Sequence, residues 1–250
     1  MRRSNGERET RLDRRRREFL LHALSLGLFA GGSGWNRPAL AQAFGKQPRK
    51  LPEGQSVFDA RGEVLVNGRA ADERTPIRAG DTLETGPDSH LIAAVGDSAF
   101  ILRENSRLEL GGVALVIRAL KATGALLTVI APRKPREQVK VHTVTATIGI
   151  RGTGFYLEAA ADKTYLCTCY GTTELTASAD PQTSERVTAD YHDARYILAQ
   201  PQGGKGGKLI IPAPAINHSD EELMMIEALV GREVPFTPGG YGHRPRREEY

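Results

Sequence analysis

The stretch that decides the fold is Val139-Lys140-Val141-His142-Thr143-Val144-Thr145-Ala146-Thr147-Ile148-Gly149-Ile150. Its apolar and polar residues alternate with a period of two, the spacing at which successive side chains point to opposite faces of a strand. Val139 and Val141 fall on one face and Val144, Ala146 and Ile148 on the other. The phase therefore changes near Thr143, which predicts a β-bulge at that point.

Outward from this stretch the same pattern repeats. Asn67-Gly68, Gly80-Asp81, Gly86-Pro87-Asp88, Gly96-Asp97, Gly111-Gly112, Gly149 to Gly154, Gly171 and His192-Asp193 are turn punctuation, because they supply positive φ or side-chain bonds to their own backbone. Between them, alternating or β-branched runs predict strands over 63–67, 82–85, 91–95, 99–103, 107–110, 126–130, 139–150, 155–159, 164–170 and 191–198. Short strands separated by turns about ten residues apart imply an all-β protein, a β-sandwich or short β-solenoid of many short strands.

One segment breaks the pattern. His218-Ser219-Asp220-Glu221-Glu222 leads into Leu223, Ile226, Leu229 and Val230, and Gly231 follows. Ser219 with Glu222 forms a capping box, the acids face the positive end of the helix dipole, and Gly231 suits the residue after the C-cap. We expect a helix over 218–232 whose narrow apolar stripe docks on the β domain. Residues 44–61 read as a linker, 62–200 as the β domain, 201–217 as a loop and 237–250 as a solvated tail.

The first 43 residues differ in kind. Arg14 to Arg17 precede a short apolar run, Phe19 to Ala30, and then small residues ending in Ala39-Leu40-Ala41 or Ala41-Gln42-Ala43. This is the layout of a signal peptide over 1–43, cleaved after Ala41 or Ala43. Arg16-Arg17-Glu18-Phe19-Leu20 looks like the twin-arginine export motif, so Arg16, Arg17, Phe19 and Leu20 are the expected export determinants, and the expected location is periplasmic. Nine of the 34 bases and four of the 30 acids fall in this leader, leaving 25 bases against 26 acids. A chain that neutral lacks the cationic surface that nucleic-acid binding needs. No segment after the leader is apolar over a length that spans a bilayer.

The centre of the chain resembles the FecR sensor family. Gly62-Glu63-Val64-Leu65-Val66-Asn67-Gly68 is similar to the family's opening strand and turn, and Ile77-Arg78-Ala79-Gly80-Asp81-Thr82-Leu83-Glu84-Thr85-Gly86 to its "GD-x-L-x-TG" signature. Thr147-Ile148-Gly149-Ile150-Arg151-Gly152-Thr153-Gly154-Phe155 is similar to its "IRGT-x-F" core, and Thr164 to Gly171 with Thr172 to Leu175 to its last strand, glycine turn and strand. The resemblance implies a periplasmic β module that works through a protein or cell-wall partner. Its signature residues here are Gly80, Asp81, Thr85, Gly86, Arg151, Gly152, Thr153, Phe155 and Gly171. Family founders carry a membrane helix and a cytoplasmic anti-sigma segment. The Arg-rich leader stands in that place, so a membrane-anchored anti-sigma regulator is the weaker alternative.

The residues with chemistry of their own are few. The sequence has no G-x-S-x-G, no H-E-x-x-H and no carboxylate pair in a glycosidase context, so no enzymatic activity is expected. Arg151 sits between glycine turns, where its guanidinium would clamp carbonyls or a carboxylate across the turn. Cys167-Thr168-Cys169 places two thiols on one face of a strand with Cβ atoms about 7 Å apart, against about 4 Å for a disulfide. Their favoured reading is buried packing residues with no cofactor. A strained redox pair, and a soft-metal site completed from His142, His192 or His218, stay open.

Overall fold

The computed structural model describes residues 48–113, 116–133, 138–204 and 206–237. The leader, with Arg16, Arg17, Phe19, Leu20, Ala41 and Ala43, lies outside them. Among the described residues the protein is all-β with one short helix near the C-terminal end. In chain order the strands are β1 (Val57–Arg61), β2 (Val64–Val66), β3 (Arg69–Ala70), β4 (Thr82–Thr85), β5 (His90–Val95), β6 (Ser98–Leu102), β7 (Ser106–Val113) and β8 (Val116–Ile130). They continue with β9 (Val139–His142), β10 (Ala146–Ile150), β11 (Thr153–Ala159), β12 (Lys163–Ala177), β13 (Ser184–Ala189), β14 (Asp193–Gln202) and β15 (Lys208–Ala213). Helix α1 is Asp220–Leu229.

Two sheets share two long strands. The first runs β1-β5-β6-β8-β11-β12-β14-β15, the second β3-β2-β4-β7-β8-β9-β10-β12-β13. Every pairing is antiparallel except β8 with β9. Strand β12 passes from one sheet to the other at Gly171: Lys163–Thr168 pair with β14 and Gly171–Thr176 with β13. Gly171 has φ +87°, and a Cβ there would lie 2.4 Å from the Gly152 carbonyl oxygen. Only glycine accepts both conditions, so the bend is written into that residue. Strand β8 makes the equivalent crossing at Gly124. Gly171, expected as a turn between two strands, is thus a kink within one.

The Val139–Ile150 stretch departs from expectation in an informative way. It is a hairpin of β9 and β10, with the Thr143 amide donating to the Ala146 carbonyl at 2.9 Å. Val139, Val141, Ala146, Ile148 and Ile150 all reach one core, while Val144 at the tip is exposed. A turn reverses the strand and resets the alternation, which in one dimension looks like a bulge. Two segments expected to be irregular are strands. The end of the linker is β1, with Val57 and Phe58 buried, and the 201–217 loop holds the end of β14 and all of β15, with Leu209 and Ile210 buried. Strand β13 was not anticipated.

The first sheet is buried on both faces. Along it, Leu91, Phe100, Leu102, Leu126, Phe155, Leu157 and Leu166 point into the space between the sheets. The alternate residues Ile92, Ile101, Leu127, Val129, Tyr156, Tyr165, Cys167 and Cys169 point outward beneath α1, whose Leu223, Met225, Ile226 and Leu229 close this second layer. Helix α1 carries the full capping box: the Ser219 hydroxyl accepts from the Glu222 amide, and the Glu222 carboxylate accepts from the Ser219 amide at 3.0 Å. Gly231 follows the C-cap with φ +75°. No helix among the described residues is long and apolar enough to cross a membrane.

Candidate metal centre

Period-two alternation on β12 aims Leu166 and Thr168 inward and Tyr165, Cys167 and Cys169 outward. Antiparallel register then brings in the first imidazole. Thr168 pairs with Asp193 and Cys167 with Ala194, so His192 lies across from Cys169 and its amide donates to the Cys169 carbonyl at 3.0 Å. His192 sits at φ +30° in the β13–β14 turn, and its ring folds over the two thiols. The second imidazole comes from the other end of the chain. His218 precedes the N-cap of α1 and is packed into the same space, its ring stacked on Tyr156 with centroids 4.8 Å apart.

The four donor atoms lie within 4.8 Å of one another. His192 Nδ1 is 3.5 Å from Cys167 Sγ, His218 Nε2 is 3.2 Å from Cys169 Sγ, and the two imidazole nitrogens are 3.2 Å apart. Ligands around a tetrahedral zinc, with metal–sulfur bonds of about 2.3 Å and metal–nitrogen bonds of about 2.0 Å, stand about 3.3–3.8 Å from each other. The three separations of 3.5, 3.2 and 3.2 Å are close to that spacing, and all four donors lie within 4.8 Å. In a two-iron cluster with mixed ligands the imidazoles and thiolates sit on different irons, which holds them well apart, so these cysteine–histidine contacts suit a single ion.

Both imidazoles are oriented by their far nitrogens. His218 Nδ1 is 2.7 Å from the Ile216 carbonyl oxygen, and His192 Nε2 is 2.9 Å from Asp220 Oδ1. A carbonyl and a carboxylate can only accept, so each ring donates there and turns its other nitrogen toward the thiols. Asp220 is held in turn by the Tyr191 hydroxyl at 3.0 Å. Burial opposes charge on Cys167, but hydrogen bonding with Cys169, His192 and His218 holds its thiol well below the ordinary range. Burial, and then Cys167 itself, push Cys169 well above it. Burial disfavours the His192 imidazolium, yet Asp220 and Cys167 raise it to about 9. Without an ion the cluster therefore favours one thiolate, on Cys167, beside protonated Cys169 and His192, and a metal ion would have to displace those two protons.

Cys167 and Cys169 are fully buried and carry no disulfide. Of the three candidate imidazoles, His192 and His218 join them, while His142 stands elsewhere beside Thr147. Asp220 and Tyr191 were not foreseen as partners. Their link to the cluster depends on the register of β12 with β14 and on where α1 docks, and no local spacing encodes either. A cleft of about 940 Å³ adjoins the site, lined among others by Tyr191, His192, Arg232 and Phe236, with the Phe236 ring 5.2 Å from that of Tyr191.

The signature residues form scaffold instead of joining the centre. Asp81 accepts from the Arg78 amide and from Asn67 Nδ2, both at 2.8 Å, and Gly80 beside it has φ +101°. Thr85 accepts from the Ser106 amide at 3.1 Å in front of Gly86. Arg151 pairs with Glu174 at 2.9 Å, across to β12. Thr153 donates to the Thr172 carbonyl at 2.9 Å, Phe155 is fully buried in the inner core, and Gly152 packs against Pro132 and Gly171.

Fold and site together define an all-β protein with a closed, buried Cys2His2 constellation. No protein-family model matches the chain, and no curated protein matches it. Two solved structures, each of a "putative anti-sigma factor" from Parabacteroides distasonis ATCC 8503, are similar to it at TM-scores of 0.43 and 0.41, with 14% identity in both. The match takes in 53% of this chain and 58% of theirs, so the chain spans little more than half the length of those proteins.

Proposed function

We propose that this chain is a non-catalytic β module that holds one soft metal ion, zinc or copper(I), on Cys167, Cys169, His192 and His218. The observation that carries the reading is the convergence of four donors from three distant segments, with both imidazoles oriented from behind. Thiolate and imidazole select soft or borderline ions over calcium and magnesium. Four protein donors complete a tetrahedron and leave no position for substrate, which is the pattern of a structural or sensory centre rather than a catalytic one. Asp220 sets the charge and orientation of His192, as carboxylates behind metal-bound imidazoles do.

The setting is the bacterial cell envelope. The twin-arginine-like leader supports export of a protein that folds, and takes up its metal, before transport, and the likeness to the FecR family supports a binding or sensory role toward an envelope protein or cell-wall component. Two experiments test the two halves. The full chain, recovered from the periplasm of its native host without chelator, should carry about one zinc or copper per molecule. Cobalt(II) added to the chelated protein should give intense thiolate-to-metal and tetrahedral d–d absorption. Metal-free protein that takes up no cobalt would overturn the metal reading. For export, Arg16→Lys with Arg17→Lys should leave unprocessed precursor in the cytoplasm, because the machinery reads the paired guanidinium groups; normal processing would contradict that route.

A further inference from the structure

The four ligands are unequally distributed. Cys167, Cys169 and His192 belong to the β body, on β12 and the β13–β14 turn, whereas His218 alone comes from the segment Pro214–Thr237 that crosses the outside of the first sheet. We infer that the metal is a latch: its binding clamps this strap onto the β body, and its loss frees the strap while the body stays folded. The inference rests on the metal-holding reading above and assigns that site a regulatory task.

The two layers are built to separate. The inner core lies between the sheets and includes no residue of the strap. The strap lies over the outer layer, with α1 packed on β5, β6 and β8, and its far end is tied by the Leu51 amide to the Leu229 carbonyl at 3.0 Å, by Tyr170 to Glu227 and by Arg232 to the Asp97 carbonyl at 2.6 Å. A ten-residue helix does not hold itself together in water, so α1 depends on its docking. The anchors near the metal all lie within a few residues of His218. Tyr165 donates to the Pro214 carbonyl at 2.9 Å and accepts from the Ile216 amide at 3.1 Å, Arg103 binds Glu222 at 2.9 Å, and Asp220 accepts from His192. Removing the ion takes away the centre of this group and the one link that ties His218 to Cys167, Cys169 and His192 together.

Opening also has a consequence for the surface. Phe58, Ile92, Ile101, Leu127 and Val129, buried beneath α1, become exposed as one apolar face. The cleft beside His192 loses Arg232 and Phe236 from its lining. Metal occupancy is thereby converted into a change of exposed surface, which is what a sensory module needs.

The test is hydrogen–deuterium exchange on the full chain, zinc-loaded and after chelation, alongside its metal content. The latch predicts that peptides from 214–237 lose protection by about tenfold or more on chelation, as local opening does, while inner-core peptides from β8 and β11 keep theirs. His218→Gln should give the same pattern without chelator, and if that variant does not fold, the chelated wild type still decides. Zinc bound with no change in the strap on chelation would overturn the latch and leave the metal reading standing. Zinc bound with strap and body losing protection together would also overturn it, since the ion would then support the whole fold. Failure to bind zinc at all would defeat the metal reading and the latch with it.

Discussion

The two faces of the first sheet make opposite use of the same strands. On the inner face, Leu91, Phe100, Phe155, Leu157 and Leu166 meet the second sheet in an apolar core that both sheets fill. On the outer face, one residue away along each strand, Tyr156, Tyr165, Cys167 and Cys169 meet a single strap that brings His218 and the buried acids Asp220, Glu222 and Glu227. Each acid has a partner: His192 and Tyr191 for Asp220, Arg103 for Glu222, Tyr170 and Arg232 for Glu227. The lesson is that stability and chemistry are assigned to different sides of one sheet. The core is apolar, and the layer closed by the strap carries the thiols, imidazoles and buried acids.

The largest effect that sharpens this contrast should come from the junction of the two sheets. Gly152 has φ +76°, and a Cβ there would lie 2.5 Å from the Pro132 Cα, a backbone atom that cannot move aside. Gly152→Val should cost more than about 4 kcal/mol in a denaturant or thermal melt, whether or not metal is present. An unchanged melting temperature would show that the turn is looser than described.

Neighbouring residues on β12 give the sharpest comparison. Leu166→Ala, on the inner face, should cost about 2–5 kcal/mol equally in zinc-loaded and chelated protein. Cys167→Ala with Cys169→Ala, on the outer face, should cost about 1–3 kcal/mol in chelator but clearly more in zinc, because bound-metal free energy is then lost as well. Equal costs for the cysteine pair in the two conditions would erase the distinction between the faces.

How much of this was legible in the sequence depends on whether a feature is local. The capping box of Ser219 and Glu222 is local, and α1 begins where it points. The all-β class follows from alternation that any strand shows. The hairpin at Thr143–Thr145 was misread as a bulge because a turn and a bulge shift the phase alike. Strands β1 and β15 were missed because Val57–Arg61 and Lys208–Ala213 are short runs flanked by glycine, proline and charge, and they become strands only through pairing with β5 and β14. The thiols and imidazoles were visible as residue types, but the meeting of Cys169 with His192 needs a strand register, and that of Cys169 with His218 needs the docking of α1. Both are long-range choices made by packing.

Smaller effects probe each side separately. Ser219→Ala removes the cap that starts α1 one residue after His218, and should cost about 0.5–2 kcal/mol, with zinc affinity lowered in step because the ligand's segment is less ordered. Unchanged affinity would uncouple helix from centre. In the body, burial opposes the charge on Asp59, but His90 at 2.6 Å and Arg61 at 3.1 Å hold its carboxyl below the ordinary value of 3.8. Its folded value is depressed, so its contribution is full above the unfolded value and fades as pH falls through the lower folded one. Asp59→Asn should therefore flatten the loss of stability on acidification below about pH 4, read as urea midpoints across that range. A variant as acid-sensitive as wild type would assign that loss to other carboxylates.

The metal centre proposed on the outer face of the first sheet would bind a single ion through Cys167, Cys169, His192 and His218. X-ray absorption at the zinc edge of the full-length protein tests it most directly. The account predicts about two sulfur neighbours near 2.3 Å and two nitrogen neighbours near 2.0 Å, with the sulfur signal lost in the Cys167→Ala, Cys169→Ala protein. A zinc environment of nitrogen and oxygen alone, unchanged by that double substitution, would contradict it.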